Sequence, residues 1–502
     1  MVTAAPGVAL SPLLARVLVF TTGAAVLVVE TLAARLVAPY VGLTLESYTA
    51  AIGVALLGIA AGARAGGLLA DRVAPSGVVA TALFAGGLLV LAVRPVVHLV
   101  GPFLPPGPVS AIVLIAVSTL APVLALSMVA PAVVKARLAG LPAMSGSGQL
   151  VGTLSALGTL GALGGTFLTG FVLIATLPTT VILAVTAAAC LGLAAVTAVV
   201  RSPVAVAGGT GATLVAGLAL VAVPGPCEVE TAYYCARIVA EPEAERPAGR
   251  VLYLDNLRHS YVDPDNPTYL DFRYTQRFAD VVDVAFPGPA ALDVVHVGGG
   301  GFTMPRWLAA TRPGTRSTVL ELDPAVVALG HRRLGVGDIP DLTIRTGDAR
   351  ISARSLPDAS ADVVVGDAFG SLSVPWHLAT REFLTDLRRV LRPGGLLLLN
   401  VIDYDPRAFL AAETATVADV FPDEVVVLGR PDQLGDAAGG NFVVAASTRP
   451  LDRSALAAAA NARGEPGAVL SADAYADLLA DARVLTDDFA PVDQLLTPYV
   501  VR

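Results

Sequence analysis

Residues 1–225 of this 502-residue chain hold only eight Lys+Arg and three Asp+Glu, whereas the remainder holds 25 and 38. No ordinary water-soluble domain of that length is so poor in charge, so the first part needs an apolar surrounding. A helix rises about 1.5 Å per residue and must cross roughly 30 Å of hydrocarbon, which takes about 20 apolar residues. Stretches of this kind fall at 13–38, 48–70, 77–99, 109–132, 150–175, 178–200 and 203–223, predicting seven spans joined by short polar breaks. The composition changes at Pro224–Pro226. A multi-pass α-helical membrane domain over 1–225 is therefore expected, followed by a small β-subdomain with a linking helix over 226–286 and an α/β Rossmann-like domain over 287–502.

Gly152, Gly158, Gly161, Gly164, Gly165 and Gly170 suit close helix approach in lipid, where packing replaces the hydrophobic effect. Glu30, Arg35 and Arg64 lie in or beside spans and are expected to pair, snorkel or face a polar interior. Arg16, Arg72, Lys135, Arg137 and Arg201 fall on one side if the spans alternate, which puts the N-terminus in the cytoplasm. Seven spans then place the C-terminal half outside the cell. Cys227 and Cys235 read equally as a disulfide suited to an oxidising exterior or as two reduced thiols. No metal-ligand spacing stands out, and the net charge of about −13 after residue 225 excludes nucleic acid as a partner.

Beyond residue 250 the pattern turns to short β-branched runs. Arg250–Asp255 and Arg258–Val262 are expected as strands of the β-subdomain, with a helix over Tyr269–Phe286. Strands at 291–297, 318–321, 342–345, 362–365, 396–401, 425–428 and 442–446 then alternate with helical segments. This pattern predicts a parallel-rich sheet that binds its ligand at the strand carboxyl ends.

The chemistry is concentrated at those ends. Gly298, Gly299, Gly300 and Gly301 follow the first strand, where bare backbone can approach a ligand at a helix N-terminus. Glu321 closes the second strand, placed to take both ribose hydroxyls. Asp348 and Ala349 follow the third, with the acid placed toward an adenine amino group, and Asp367 follows the fourth. Thr303 stands where a dinucleotide fold would carry its third glycine, so the set points away from NAD and toward an S-adenosylmethionine-type transferase.

These motifs, in this order, resemble the spermidine synthases, or polyamine aminopropyltransferases, in their membrane-fused form. The resemblance covers about Arg250 to Ala446. It implies transfer of an aminopropyl group from decarboxylated S-adenosylmethionine to a diamine such as putrescine, with Asp367 as base and Tyr274 beside the amine. Gly298, Gly299, Gly300, Glu321, Asp348 and Ala349 would bind the donor. Three positions depart from the family: Gly301 replaces the loop aspartate, Gly370 the second acid of D-S-x-D, and Gln276 a glutamate. Glu230, Asp263, Asp265, Asp403 and Asp405 are candidates to compensate. Trp307 and Trp376 could wall the adenosyl pocket, although core packing suits Trp307 better. The expected partners are a small diamine and the lipid bilayer, and a homo-oligomer is compatible. Two other readings accommodate the departures: S-adenosylmethionine-dependent methylation of a membrane-proximal acceptor, or a non-catalytic nucleoside-binding membrane protein. A nucleoside donor favours a cytoplasmic C-terminal half, against the charge pattern.

Overall fold

A computed structural model describes residues 10–42, 45–105, 107–139, 146–199, 215–220, 222–242, 246–370, 373–435, 439–463 and 468–496. The chain forms two compact units, Met1–Cys235 and Ala236–Val500.

The first unit is helical: α1 (Pro12–Val41), α2 (Leu45–Arg72), α3 (Pro75–Val100), α4 (Pro108–Ser127), α5 (Val129–Leu138), α6 (Ser147–Leu168) and α7 (Thr179–Val199). Among the described residues six segments are long and apolar enough to cross a membrane, with α4 and α5 together supplying one of them. The expected seventh span, 203–223, lies largely outside the described residues. Glycine sets the helix contacts. A side chain at Gly161 would strike the backbone of Phe20, and one at Gly165 the backbone of Ala24, so α6 lies directly on α1. Gly62 and Gly66 bring α2 as close to Leu124 and Met128, a pairing that the dense glycines of α6 overshadowed in the sequence.

Arg35 donates to the carbonyl oxygens of Thr231 and Ala232, Glu30 is half-buried, and Arg64 is exposed. Cys227 and Cys235 are disulfide-bonded. Glu230 accepts from the Thr179 N–H at 2.9 Å, an acid at the start of α7 where the helix dipole favours it.

The second unit opens with strands β1 (Cys235–Ala240), β2 (Arg250–Leu254) and β3 (Leu257–Val262), paired antiparallel in that order. Helix α8 (Arg273–Ala285) follows and starts later than the apolar pattern predicts, because Asn266–Tyr269 closes a hydrogen-bonded turn first. The main sheet then builds from β4 (Asp293–Val297), α9 (Thr303–Thr311), β5 (Arg316–Glu321), α10 (Pro324–Arg333), β6 (Leu342–Thr346), α11 (Ala349–Arg354), β7 (Ala361–Gly366), α12 (Arg381–Val390), β8 (Leu391–Asp403), α13 (Ala408–Val420), β9 (Glu424–Gly429), β10 (Gly440–Ser447), α14 (Arg453–Ala462) and β11 (Ala468–Val469).

The strand order is β11-β9-β10-β8-β7-β4-β5-β6. Strands β8, β7, β4, β5 and β6 pair in parallel, while β10 runs antiparallel between β8 and β9, so the sheet is mixed. Apolar runs such as 425–428 and 442–446 are buried in either direction, and their composition carries no sign of it. One face is closed by Phe383, Leu387, Phe409 and Val417, the other by Phe278, Trp307 and Leu308. Trp307 thus belongs to the core and not to a pocket wall.

Candidate active site

The chain leaves β4, builds β5 and β6 on one side, and returns to place β7 on the other. Between β4 and β7 the loops diverge, which opens the crevice where parallel sheets bind ligands. The register pairs Val297 with Gly366 and Gly366 with Leu399, so Gly298, Asp367 and Asn400 emerge at one level. Gly298 has φ +97°, and any side chain there would collide with the carbonyl of Asp367.

On one side of this crevice the glycine loop faces Glu321. The N–H groups of Gly299 and Gly300 donate to its Oε2 at 2.8 and 3.2 Å, while the Asp323 N–H donates to Oε1 at 3.0 Å. A side chain at Gly299 would stand 3.0 Å from that same oxygen, so only a bare loop leaves room for a ligand beside it. The next two strand-end acids also cap helices. Asp323 caps α10 by accepting from the Ala325 N–H, and Asp348 caps α11 by accepting from those of Arg350 and Ile351 at 2.8 and 3.2 Å. The second oxygen of Asp348 lies 3.1 Å from His377 Nε2, with the half-exposed Trp376 edge-on to that ring. Ala349 is the buried first residue of α11.

On the other side, α8 carries Tyr274 to Asp367. The Tyr274 hydroxyl donates to Asp367 Oδ2 at 2.8 Å, Asn400 Nδ2 donates to Oδ1 at 2.9 Å, and Asn441 Nδ2 donates to Asn400 Oδ1 at 2.9 Å. Both carboxylate oxygens are thereby oriented. Burial, reinforced by the Asp367 charge and hydrogen bond, raises the Tyr274 hydroxyl well above its usual range, so it remains a donor at neutral pH. These residues border a cleft of about 370 Å³.

Asn400 and His259 were missed by sequence reasoning. Asn400 did leave a signal, as the polar residue in the run Leu396–Val401 at a strand end. His259 left none, because it comes from β3 and reaches the glycine loop only through tertiary packing. Burial lowers its pKa, opposed by the charges of Asp367 and Glu321, so the ring is neutral near pH 7. Its neighbour Ser260 accepts from the Gly301 N–H at 3.0 Å and occupies the space where a residue-301 side chain would go. Gly370 is the reverse case, with nothing among the described residues nearer than 3.8 Å to an added side chain.

The candidate compensating acids do not reach the cleft. Asp263 accepts from the N–H groups of Asp265 and Asn266, Asp403 from those of Tyr404 and Leu410, and neither Asp265 nor Asp405 lines it. Glu230 is committed to Thr179 in the first unit. Gln276 donates to the Leu270 carbonyl at 2.8 Å.

Residues 295–399 match the family described as "Methyltransferase domain". A polyamine aminopropyltransferase from Vibrio vulnificus is 28% identical over 221 residues, 42% of this chain and 71% of that protein. A probable polyamine aminopropyl transferase from Bifidobacterium longum is 29% identical over 146 residues, which span 28% of this chain and 32% of that protein. Among solved structures, a probable spermidine synthase from Corynebacterium glutamicum superposes with a TM-score of 0.47 and 26% identity, covering 52% of this chain and 96% of that one.

Proposed function

We propose that the C-terminal unit is an aminopropyltransferase of the spermidine synthase type, in keeping with its similarity to polyamine aminopropyltransferases, and that it moves an aminopropyl group from decarboxylated S-adenosylmethionine to an amine. The observation that carries this reading is the Tyr274–Asp367–Asn400 network, set across the switch-point crevice from Glu321 and the glycine loop. Glu321 would take the ribose hydroxyls of the donor, and the bare Gly298–Gly300 backbone gives the nucleoside room to approach.

The reaction needs a neutral amine nitrogen aimed at the propyl carbon beside a sulfonium. As the N–C bond forms, the C–S pair collapses onto sulfur and methylthioadenosine leaves. The new ammonium sheds a proton, and Asp367, fixed through both oxygens, is the base placed to receive it. Tyr274 fixes Oδ2 and remains protonated throughout. The expected substrate is a small amine, with putrescine as the reference diamine.

The helical unit would hold the enzyme in the cell membrane. Six crossings from a cytoplasmic N-terminus put the C-terminal unit in the cytoplasm, where nucleoside donors are made. A seventh through 203–223 puts it outside, where a Cys227–Cys235 disulfide persists. Labelling of those thiols in intact cells, before and after reduction, separates the two arrangements.

Full-length protein in detergent, supplied with decarboxylated S-adenosylmethionine and an amine panel, is expected to release methylthioadenosine. Asp367→Asn should lower that rate by about 10²–10⁴, the usual worth of a positioned base. Release that survives the substitution would sink the assignment. A second reading, methyl transfer to a membrane-proximal acceptor, is favoured by the methyltransferase-domain match over 295–399. Labelled methyl appearing in membrane extracts would support it.

A further inference from the structure

The acceptor side of the cleft carries the wrong charge for a simple diamine. Among the described residues lining it, Asp367 is the one carboxylate, whereas Arg258, Arg273 and Arg430 supply three guanidinium groups and Asn400, Gln433 and Asn441 supply neutral amides. Arg258 is paired with Asp271 at 2.6 Å and with Glu241 at 3.5 Å, and Arg430 with Asp432 at 2.5 Å, but none of these acids lines the cleft. A bound ligand therefore meets the cationic member of each pair.

The family's extra acids cannot be restored by rearrangement. Ser260 and Val262 occupy the space beside Gly301, Gln276 is bonded to backbone, and Asp263 and Asp403 are spent on loop N–H groups. A diamine presents one neutral nitrogen for attack and a second, charged ammonium at its far end. Near Asp367 the reacting nitrogen is well served. The far ammonium would sit among like charges, which is the arrangement that enforces rejection.

We propose that the acceptor is an amine that also bears an anionic group, in the simplest case a carboxylate, with its amine at Tyr274–Asp367 and its acid facing Arg258, Arg273 and Arg430. The proposal rests on the aminopropyl-transfer reading and names its acceptor class. The bond changes are unaltered: the acceptor nitrogen attacks the propyl carbon, the C–S pair leaves with methylthioadenosine, and the nitrogen's proton passes to Asp367. The acid stays ionised and takes no part in the step. Guanidinium pairs with planar oxyanions through two parallel hydrogen bonds, so the arginines would orient the acceptor as well as attract it.

The test compares amines of matched length. Full-length protein in detergent with decarboxylated S-adenosylmethionine is given putrescine or γ-aminobutyrate, then cadaverine or δ-aminovalerate, and methylthioadenosine is measured. The expected kcat/KM for γ-aminobutyrate exceeds that for putrescine by about tenfold or more, the scale of a single favourable-versus-repulsive charge contact. Arg430→Glu should reverse the order by raising KM for γ-aminobutyrate and lowering it for putrescine, a change that mere loss of structure would not produce. Thermal stabilisation by methylthioadenosine shows that the variant is folded. Putrescine as the better acceptor, or a preference that Arg430→Glu leaves unmoved, would overturn the proposal while aminopropyl transfer stands. Absence of methylthioadenosine with every amine would remove both.

Discussion

On the donor side of the crevice, Glu321 is held by three backbone N–H groups whose positions follow from the register of β4 and β5. On the acceptor side, Asp367 is held by Tyr274 and Asn400, side chains from two different elements, and its surroundings come from β3, α8 and the segments around β9 and β10. The contrast explains why one side resembles the family and the other departs from it. An acid held by backbone N–H groups keeps its place wherever the sheet persists, because substitutions around it barely move those groups. A site made by side chains can change its ligand one residue at a time. Gly301 and Gly370 show two ways of losing an acid: at the first the vacated space is filled, and at the second it stays open.

The largest effect expected from breaking this contrast lies on the donor side. Glu321→Ala removes the acceptor of two loop N–H groups and, on the proposed reading, of the donor's ribose hydroxyls. With charged hydrogen bonds worth about 1.5–3 kcal/mol each, the Kd for methylthioadenosine should rise by about a hundredfold, as read by calorimetry. An unchanged Kd would mean that the nucleoside does not sit against Glu321.

The two glycines give a smaller effect of opposite kinds. Gly301→Asp would put a Cβ 2.7 Å from that of Ser260 and 3.1 Å from a Val262 methyl. Overpacking of this sort costs about 1–3 kcal/mol and should lower the unfolding temperature. Gly370→Asp meets nothing closer than 3.8 Å among the described residues, so the fold should be untouched. The restored charge should lower the KM for putrescine by roughly two- to fivefold, in keeping with a partly exposed ion pair. If Gly301→Asp proved as stable as the native chain, the space beside Ser260 would not be closed.

The sequence made the donor side legible because its signals are local: a glycine run after a strand, and an acid at the next strand end. Charge depletion over 1–225 and the apolar runs likewise marked the helical unit, since a long apolar helix shows in local composition. The acceptor side was legible only through Asp367 and Tyr274. His259 and Arg258 sit on β3, and Arg430 and Asn441 near strands far along the chain, so only the closed fold brings them to one cleft. Asp348 shows the converse limit. An acid after a strand reads the same whether it binds a nucleoside or caps the next helix, and its two N–H contacts in the structure are those of a cap. The insertion of β10 between β8 and β9 was hidden because buried strands look alike in either direction.

The smallest effect concerns what lies behind the acceptor side. Glu413, on α13, is buried with one carboxylate oxygen unpartnered, and it borders with Asn400 a cavity of about 30 Å³ beneath the Asp367 network. Burial pushes the Glu413 carboxyl up to about 8, from an ordinary value of 4.5. The folded chain therefore keeps a proton that the unfolded chain releases above pH 4.5. Stability that is complete below that pH is lost as pH rises toward 8, and the slope ends once both states are ionised. Glu413→Gln, which is neutral at every pH, should match the native chain at pH 4, then gain in relative unfolding temperature through this window and level off above about 8. Parallel profiles for the two chains in detergent would show that Glu413 is ionised and satisfied in the fold, and that the layer under Asn400 is polar and not sealed.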